Sequence, residues 1–220
     1  MGSLLYLTHT RPDISFTVGL VSRFSHDPHE SHWQASKRIL RYIRGTTCYG
    51  IHYTLGDPHI VGYTDSDWAG DVDDRKSTSG FVFCLGSGPI TWSCKKQHAH
   101  ALSSTEAEYR AAVLASQEVL WLRQLMTEFG FSPDSPTFLW CDNQSAIHIS
   151  HNPVEHLWTK HIELHINFIR NLIHDGFLSL EYIPTTKQVA DIFTKPFASP
   201  WYLQLHSMLG VKEVVLEGSQ

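Results

Sequence analysis

Four carboxylates stand where regular secondary structure would carry them toward one place. Asp65 ends a strand-like run in Tyr63-Thr64-Asp65-Ser66-Asp67, and Asp142 ends another in Leu139-Trp140-Cys141-Asp142-Asn143. Ligand sites in α/β sheets gather at the carboxyl ends of strands, so these two acids converge if the strands are neighbours. Taken singly, each is more simply a cap of the turn or helix that follows. Glu106 and Glu108 share a long helical stretch. Residues two apart on a helix point about 200° apart, so only one of them can face a sheet. Glu108 falls on the stripe of Ala111, Ala112, Ala115, Val119 and Leu122, where a carboxylate needs a cation or a metal as partner. Glu106 falls with Arg110, Gln117 and Gln124 on a polar side, and Ser103-Ser104-Thr105-Glu106 reads as a capping box. Asp191 lies on a short helix near the C-terminus, one turn beyond Lys187, which an ordinary i,i+4 ion pair also explains.

Four acids without a nucleophilic hydroxyl or thiol partner suggest hard divalent cations held by oxygen. Paired ions clamp the attacking and leaving oxygens of a phosphodiester, so a two-metal nuclease is one reading among several that the residues themselves allow. Asp67 is nearby, but nothing assigns it a role. The four cysteines (Cys48, Cys84, Cys94 and Cys141) show no C-x-x-C spacing, which indicates neither a zinc knuckle nor a disulfide scaffold. A reduced, intracellular compartment, cytoplasmic or nuclear, is expected. His161 and His165 have helical spacing, but Ile162 replaces the glutamate of a zincin helix. His98 and His100 are expected at the surface.

The elements that must position these acids belong to a chain of 220 residues, 42% hydrophobic and 18% charged, enough for one large domain or a compact domain with an appendage. No apolar run approaches the roughly 18 residues of a membrane span, and no membrane partner is expected. The formal net charge of −5 is uneven: residues 1–56 hold six Lys/Arg against three acids, the remainder eleven against nineteen. A basic arm thus stands beside an acid-rich body. Helices are predicted over 13–24 behind Pro12, 29–44, 104–129, 143–150, 158–174 and 187–194, and strands over 48–54, 60–64, 80–85, 89–94, 137–141 and 177–183. Between residues 65 and 79 a polar loop is expected. Trp33, Trp92, Trp121, Trp140, Trp158 and Trp201 are expected mostly in the core. This order describes a mixed sheet with helices packed on it, an α/β domain, with a boundary near residue 56.

The motifs Y-T-D-S-D-W-A-G-D (63–71), R-K-S-T-S-G (75–80), L-S-S-T-E-A-E-Y (102–109), W-C-D-N-Q-S-A-I (140–147), T-K-H-I (159–162) and A-D-I-F-T-K (190–195), in series, resemble the ribonuclease H region of Copia-type LTR retrotransposon Pol polyproteins. The stretches 2–13 and 32–46 resemble the segment that closes the reverse transcriptase of the same polyproteins. The resemblance implies a ribonuclease H-like mixed five-stranded sheet flanked by helices, with a small helical N-terminal segment. It divides the chain into a thumb- or connection-like segment (1–56), a ribonuclease H-like domain (57–197) and a C-terminal helix and tail (198–220). It implies an endonuclease that cuts the RNA strand of RNA–DNA hybrids, with the rest of a reverse transcriptase as a further partner. Asp65, Glu108, Asp142 and Asp191 match the family's catalytic carboxylates and would hold two Mg²⁺ ions, for which Mn²⁺ can substitute. The alternative is a non-catalytic remnant or hybrid-binding module that retains the fold. The loop Pro184–Lys187 lacks the histidine that many cellular ribonucleases H carry there, and a basic protrusion helix is missing. Phosphate contacts would then fall to Arg75, Lys76, Lys95, Lys96, Lys160 and the N-terminal arm.

Overall fold

Ala-rich and β-branched stretches in this chain alternate, and each finds an opposite face to cover. The computed structural model describes residues 1–54, 59–152 and 160–214. In chain order it contains α1 (Gly2–Leu7), α2 (Ser15–Ser22), α3 (Glu30–Gly45), β1 (Tyr49–Ile51), β2 (Ile60–Asp67), β3 (Thr78–Leu85) and β4 (Gly88–Lys96). Then follow α4 (Ser104–Glu128), β5 (Thr137–Cys141), α5 (Gln144–His151), α6 (Lys160–His174), β6 (Leu178–Tyr182), α7 (Ser199–Met208) and β7 (Val211–Glu213). Short 3₁₀ helices span Pro12–Ile14, Thr185–Lys187 and Val189–Phe193. No helix among the described residues is long and apolar enough to cross a membrane.

The main sheet has the order β4-β3-β2-β5-β6. Strands β2, β3 and β4 run antiparallel, while β5 pairs parallel with both β2 and β6. This is the α/β, mixed five-stranded sheet flanked by helices that the resemblance implies. Side chains alternate across β3, and the two faces go to different cores. Phe81 and Phe83 point to the side of Leu139, Leu178 and Leu180, covered by α4 and by Ile162, Ile166, Ile169 and Leu172 of α6. Val82 points to the other side, where Ile192, Phe193, Leu205 and Leu209 cover it. Both faces of the centre are therefore dry.

The polar loop expected between 65 and 79 is shorter, because β2 continues to Asp67 and β3 begins at Thr78. What permits polar strand ends inside the protein is Gln97. Its Nε2, with two hydrogens to share, lies within hydrogen-bond distance of Ser66 Oγ (3.2 Å), Ser79 Oγ (2.9 Å) and the Ala107 carbonyl (2.9 Å), which supplies partners that a polar buried strand requires. The expected helix 187–194 is a 3₁₀ helix, and the expected strand 48–54 keeps only three residues, paired with β7. Tryptophans depart from expectation: Trp33 and Trp121 are 55% and 54% exposed, on the outward faces of α3 and α4, and Trp158 lies outside the described residues. Helical spacing gives the side of a helix, but a large ring can lie at its rim.

The first fifty residues pack on the sheet and on α7. Ile14, Val18, Val21 and Ile39 make a small core of their own. Beside it, Arg11 donates to both oxygens of Asp13 (2.9 and 2.8 Å), Tyr42 Oη donates to Asp13 Oδ2 (2.7 Å), and Tyr202 Oη of α7 donates to the Asp13 carbonyl (3.2 Å). Arg11 also reaches Thr46 beyond α3. Trp92 Nε1 in β4 donates to the Thr8 carbonyl (2.9 Å). Asp13 is thus a buried hub for three separate stretches of chain.

Gly80 is the close-approach point of the fold. It pairs across the ladder with Asp65, and a Cβ there would lie 2.7 Å from Thr194 Cγ2, 2.8 Å from Phe193 Cβ and 3.2 Å from the Ala190 carbonyl. Gly80→Ala is expected to destabilise by about 1–3 kcal/mol, read as a lowered denaturant midpoint with unchanged slope. Asp13→Ala, which strands a buried guanidinium and a phenol, is expected to cost about 3–5 kcal/mol in the same measurement. A loss below about 0.5 kcal/mol for either would remove the role assigned to it.

Candidate active site

Strands β2 and β5 stay in register only as far as Tyr63 and Trp140, and the chain beyond them parts. Gln188, fully buried, closes the gap by donating to the carbonyls of Thr64 (2.9 Å) and Trp140 (3.4 Å), while its Oε1 accepts from the Ala190 amide. At the strands' carboxyl ends above this plug stand Asp65 and Asp142, as expected for neighbouring parallel strands. Asp65 has no exposed surface; Thr194 Oγ1 donates to its Oδ2, and Lys195 Nζ lies 3.2 Å from its Oδ1. Asp142 is more open, and Thr185 Oγ1, from the loop after β6, donates to its Oδ2 at 2.7 Å.

Glu108 and Asp191 enter from the two sides of the sheet. Glu108 lies in the second turn of α4 on the face toward β2, 6% exposed, and accepts from the Ser66 amide. Its Oε2 is buried and has no hydrogen-bond partner. Ligand atoms of Glu108, Cys141 and Asp142 lie within 4.8 Å of one another. Asp191, on the 3₁₀ helix Val189–Phe193, is 2% exposed and accepts from Lys195 Nζ at 2.9 Å. The ion pair expected toward Lys187 is therefore made in the opposite direction along the chain. Glu106 also differs from expectation: it keeps its pair with Arg110 (2.6 Å) but is buried, because the Leu102 amide donates to its second oxygen (2.8 Å).

Electrostatics tie the four acids together. Burial pushes the Glu108 carboxyl well above the usual range, and the charges of Asp65 and Asp142 push it further. Burial, then the charge of Asp65, raises Asp191 to about 7, against the opposing pull of Lys195. Burial works against the Lys195 ammonium, but Asp65 and Asp191 outweigh it and hold the charge on. Burial, and then Glu108, raises the Cys141 thiol, so this sulfur stays protonated and the donors on offer are oxygens. An oxygen donor set with one unpartnered buried carboxylate oxygen fits a hard divalent cation such as Mg²⁺ or Mn²⁺.

Of the basic residues considered for phosphate contact, Lys96 is engaged with Asp71 (2.7 Å) and Asp74 (2.8 Å), and Lys76 with Asp74 (3.5 Å). Arg75 and Lys95 are exposed, and the side chain of Lys160 lies outside the described residues. Lys195, Thr194, Thr185 and Gln188 are functional neighbours that pattern reading passes over. Only Lys195 carried a sequence signal, its i,i+4 spacing from Asp191.

A carboxyl whose folded pKa is raised favours the folded state while protonated. Its contribution is full below the unfolded value of about 4 and is lost as pH rises through the folded value. For Asp191 that loss runs up from about 4 and is complete at about 7. In chelator-treated protein, thermal stability is expected to fall from about pH 4 to pH 7, and Asp191→Asn to flatten that slope. Equal slopes for both proteins would contradict the assignment.

No protein-family model matches the chain. It is 45% identical over 215 residues to the retrovirus-related Pol polyprotein from transposon RE1 of Arabidopsis thaliana, which covers 97% of this chain and 15% of that protein. It is 44% identical over 196 residues to the retrovirus-related Pol polyprotein from transposon TNT 1-94 of Nicotiana tabacum, which covers 89% of this chain and again 15% of that protein. The chain thus spans about 15% of the length of these relatives. Among solved structures, LC11-RNase H1 isolated from compost is similar at 17% identity and a TM-score of 0.49, over 62% of this chain and 93% of that one. With such identity over nearly all of its length, the chain belongs to the retrovirus-related Pol polyproteins of Copia-type transposons.

Proposed function

We propose that this chain is the ribonuclease H part of a Pol polyprotein, a metal-dependent endonuclease that hydrolyses the RNA strand of RNA–DNA hybrids. The observation that carries the reading is the convergence of Asp65, Glu108, Asp142 and Asp191 from four separate elements, with a buried Glu108 oxygen left without a partner. In this reading residues 57–197 form the nuclease, residues 1–56 are the closing segment of a reverse transcriptase, and 198–220 are a C-terminal helix and tail. The rest of a reverse transcriptase is the further partner.

The four carboxylates would hold two Mg²⁺ ions, with Mn²⁺ able to substitute. When bound, such ions lower the pKa of water and stabilise the departing oxygen of a phosphodiester. The chain's own residues supply rigidity. Thr194 fixes Asp65, and Thr185 orients Asp142. Gln188 spans the two strand ends below them. Burial, and then the charge of Asp65, raises the carboxyls of Glu108 and Asp191, a cost that a bound cation would relieve. Exposed Arg75 and Lys95 and the basic N-terminal arm are the groups to meet phosphates, a contact that positions a duplex without reading its bases.

The test is cleavage of a hybrid carrying an end-labelled RNA strand, with Mg²⁺ present. Wild type is expected to cut the RNA strand, and Asp142→Asn to be slower by about a hundredfold or more, several kcal/mol of lost charge stabilisation. No cutting by wild type, or equal cutting by the variant, would reject the enzyme. Equal cutting of duplex DNA would reject the substrate class.

A further inference from the structure

Lys195 is the one cation found bridging two of the four carboxylates among the described residues. Its Nζ lies 3.2 Å from Asp65 Oδ1 and 2.9 Å from Asp191 Oδ1. The other two acids stand differently. Glu108 and Asp142 approach each other with Cys141, and Glu108 Oε2 is buried without a hydrogen bond. The cluster therefore has two unlike halves, one filled by an ammonium and one offering an open oxygen.

A divalent cation and an ammonium cannot both take the same oxygens. A hard cation bonds carboxylate oxygens at about 2.0–2.6 Å, which would bring it well inside the reach of the ammonium's own contacts, where two positive charges repel strongly. Asp65 cannot simply rotate away, because Thr194 Oγ1 holds its Oδ2. Lys195 can move. It follows the 3₁₀ helix, its side chain is 30% exposed, and a four-carbon stem can carry the head to solvent.

We propose that Lys195 is an internal counter-ion that competes with a divalent cation for Asp65 and Asp191, so that the cluster fills in two unequal steps. The first ion enters beside Glu108 and Asp142, which no ammonium among the described residues contacts. The second must displace Lys195 from Asp65 and Asp191. Lys195 thereby stabilises the empty site and sets the metal concentration at which the site is complete. This inference rests on reading the four carboxylates as a cation site. Lys195 acts through the carboxylates and is a positioning residue.

The experiment is calorimetric titration of Mg²⁺ into metal-free protein, repeated with Mn²⁺ followed by its spin-resonance signal. Wild type is expected to bind in two steps separated by about tenfold or more. In Lys195→Met the weaker step should tighten about tenfold, while the stronger stays within about twofold. Lys195→Arg, which keeps the charge, should retain the wide separation. A weaker step that is unchanged or loosened in Lys195→Met would overturn the competition.

A variant-free measurement guards against misfolding. Labelling of Lys195 by an amine-reactive ester, read by peptide mass spectrometry, should rise about fivefold or more when wild type is saturated with Mg²⁺, as the head leaves its carboxylates. Constant labelling would overturn the proposal even if Lys195→Met does not fold. Two normal binding steps that ignore residue 195 reject only the competition. Absence of binding to wild type rejects the cation site and the competition together. Binding as expected without hybrid cleavage rejects only the proposed activity.

Discussion

Placing four carboxylates in one largely dry pocket is the constraint on which the rest of this structure turns. Asp65, Glu108 and Asp191 are each at most 6% exposed; burial, and then the charge of Asp65, raises the carboxyls of Glu108 and Asp191. The protein answers with hydroxyl and amide donors from Thr194, Thr185 and Ser66, and with the ammonium of Lys195. These groups come from scattered stretches of chain, so the cluster exists only where the whole sheet end is assembled.

The architecture is arranged so that this assembly leaves little slack. Gly80 has no side chain because the 3₁₀ helix carrying Asp191 lies directly against it, across the ladder from Asp65. Gln188 ties the diverging ends of β2 and β5 and caps the same 3₁₀ helix, so one side chain positions two strands and one acid-bearing turn. On the far side, α7 covers that helix and is itself held through Tyr202 to Asp13 and Tyr42 of the N-terminal segment. Asp71, which pairs with Arg23 of that segment (3.0 Å) and with Lys96, connects it also to the loop after β2. The basic arm is thus packed onto the acid-rich body. The net charge of −5 conceals both a carboxylate cluster that Lys195 compensates in part and that arm.

Much of the site was readable because its signals are local. An acid ending an apolar run, as at Asp65 and Asp142, and an acid on an apolar helical stripe, as at Glu108, each break the binary pattern in a way that burial without a partner would punish. What local pattern cannot supply is the partner. Glu106 lies on the polar side of its helix and pairs with Arg110 as its spacing indicates, yet the turn before α4 folds over it and buries it. Asp191 was matched to Lys187, one turn back, whereas Lys195, one turn forward, faces Asp65. Both lysines have the same spacing from Asp191; only the position of β2 distinguishes them. Trp33 and Trp121 were misplaced for a similar reason, since the size of a side chain does not say whether another layer covers it.

By itself, then, the sequence determined the element order, the mixed α/β class and the carboxylates that break its apolar pattern, because periodicity and residue type act within a turn or a strand. Identity of 44–45% to Pol polyproteins of Copia-type transposons, over 89–97% of the chain, places it in its family. Tertiary structure alone decided that β2 and β5 are neighbours and that Gly80 admits a helix against the sheet. It alone decided that Lys195 stands between Asp65 and Asp191. Those decisions depend on contacts between residues more than seventy positions apart, whose energies arise from burial and charge in three dimensions and leave no periodic trace along the chain.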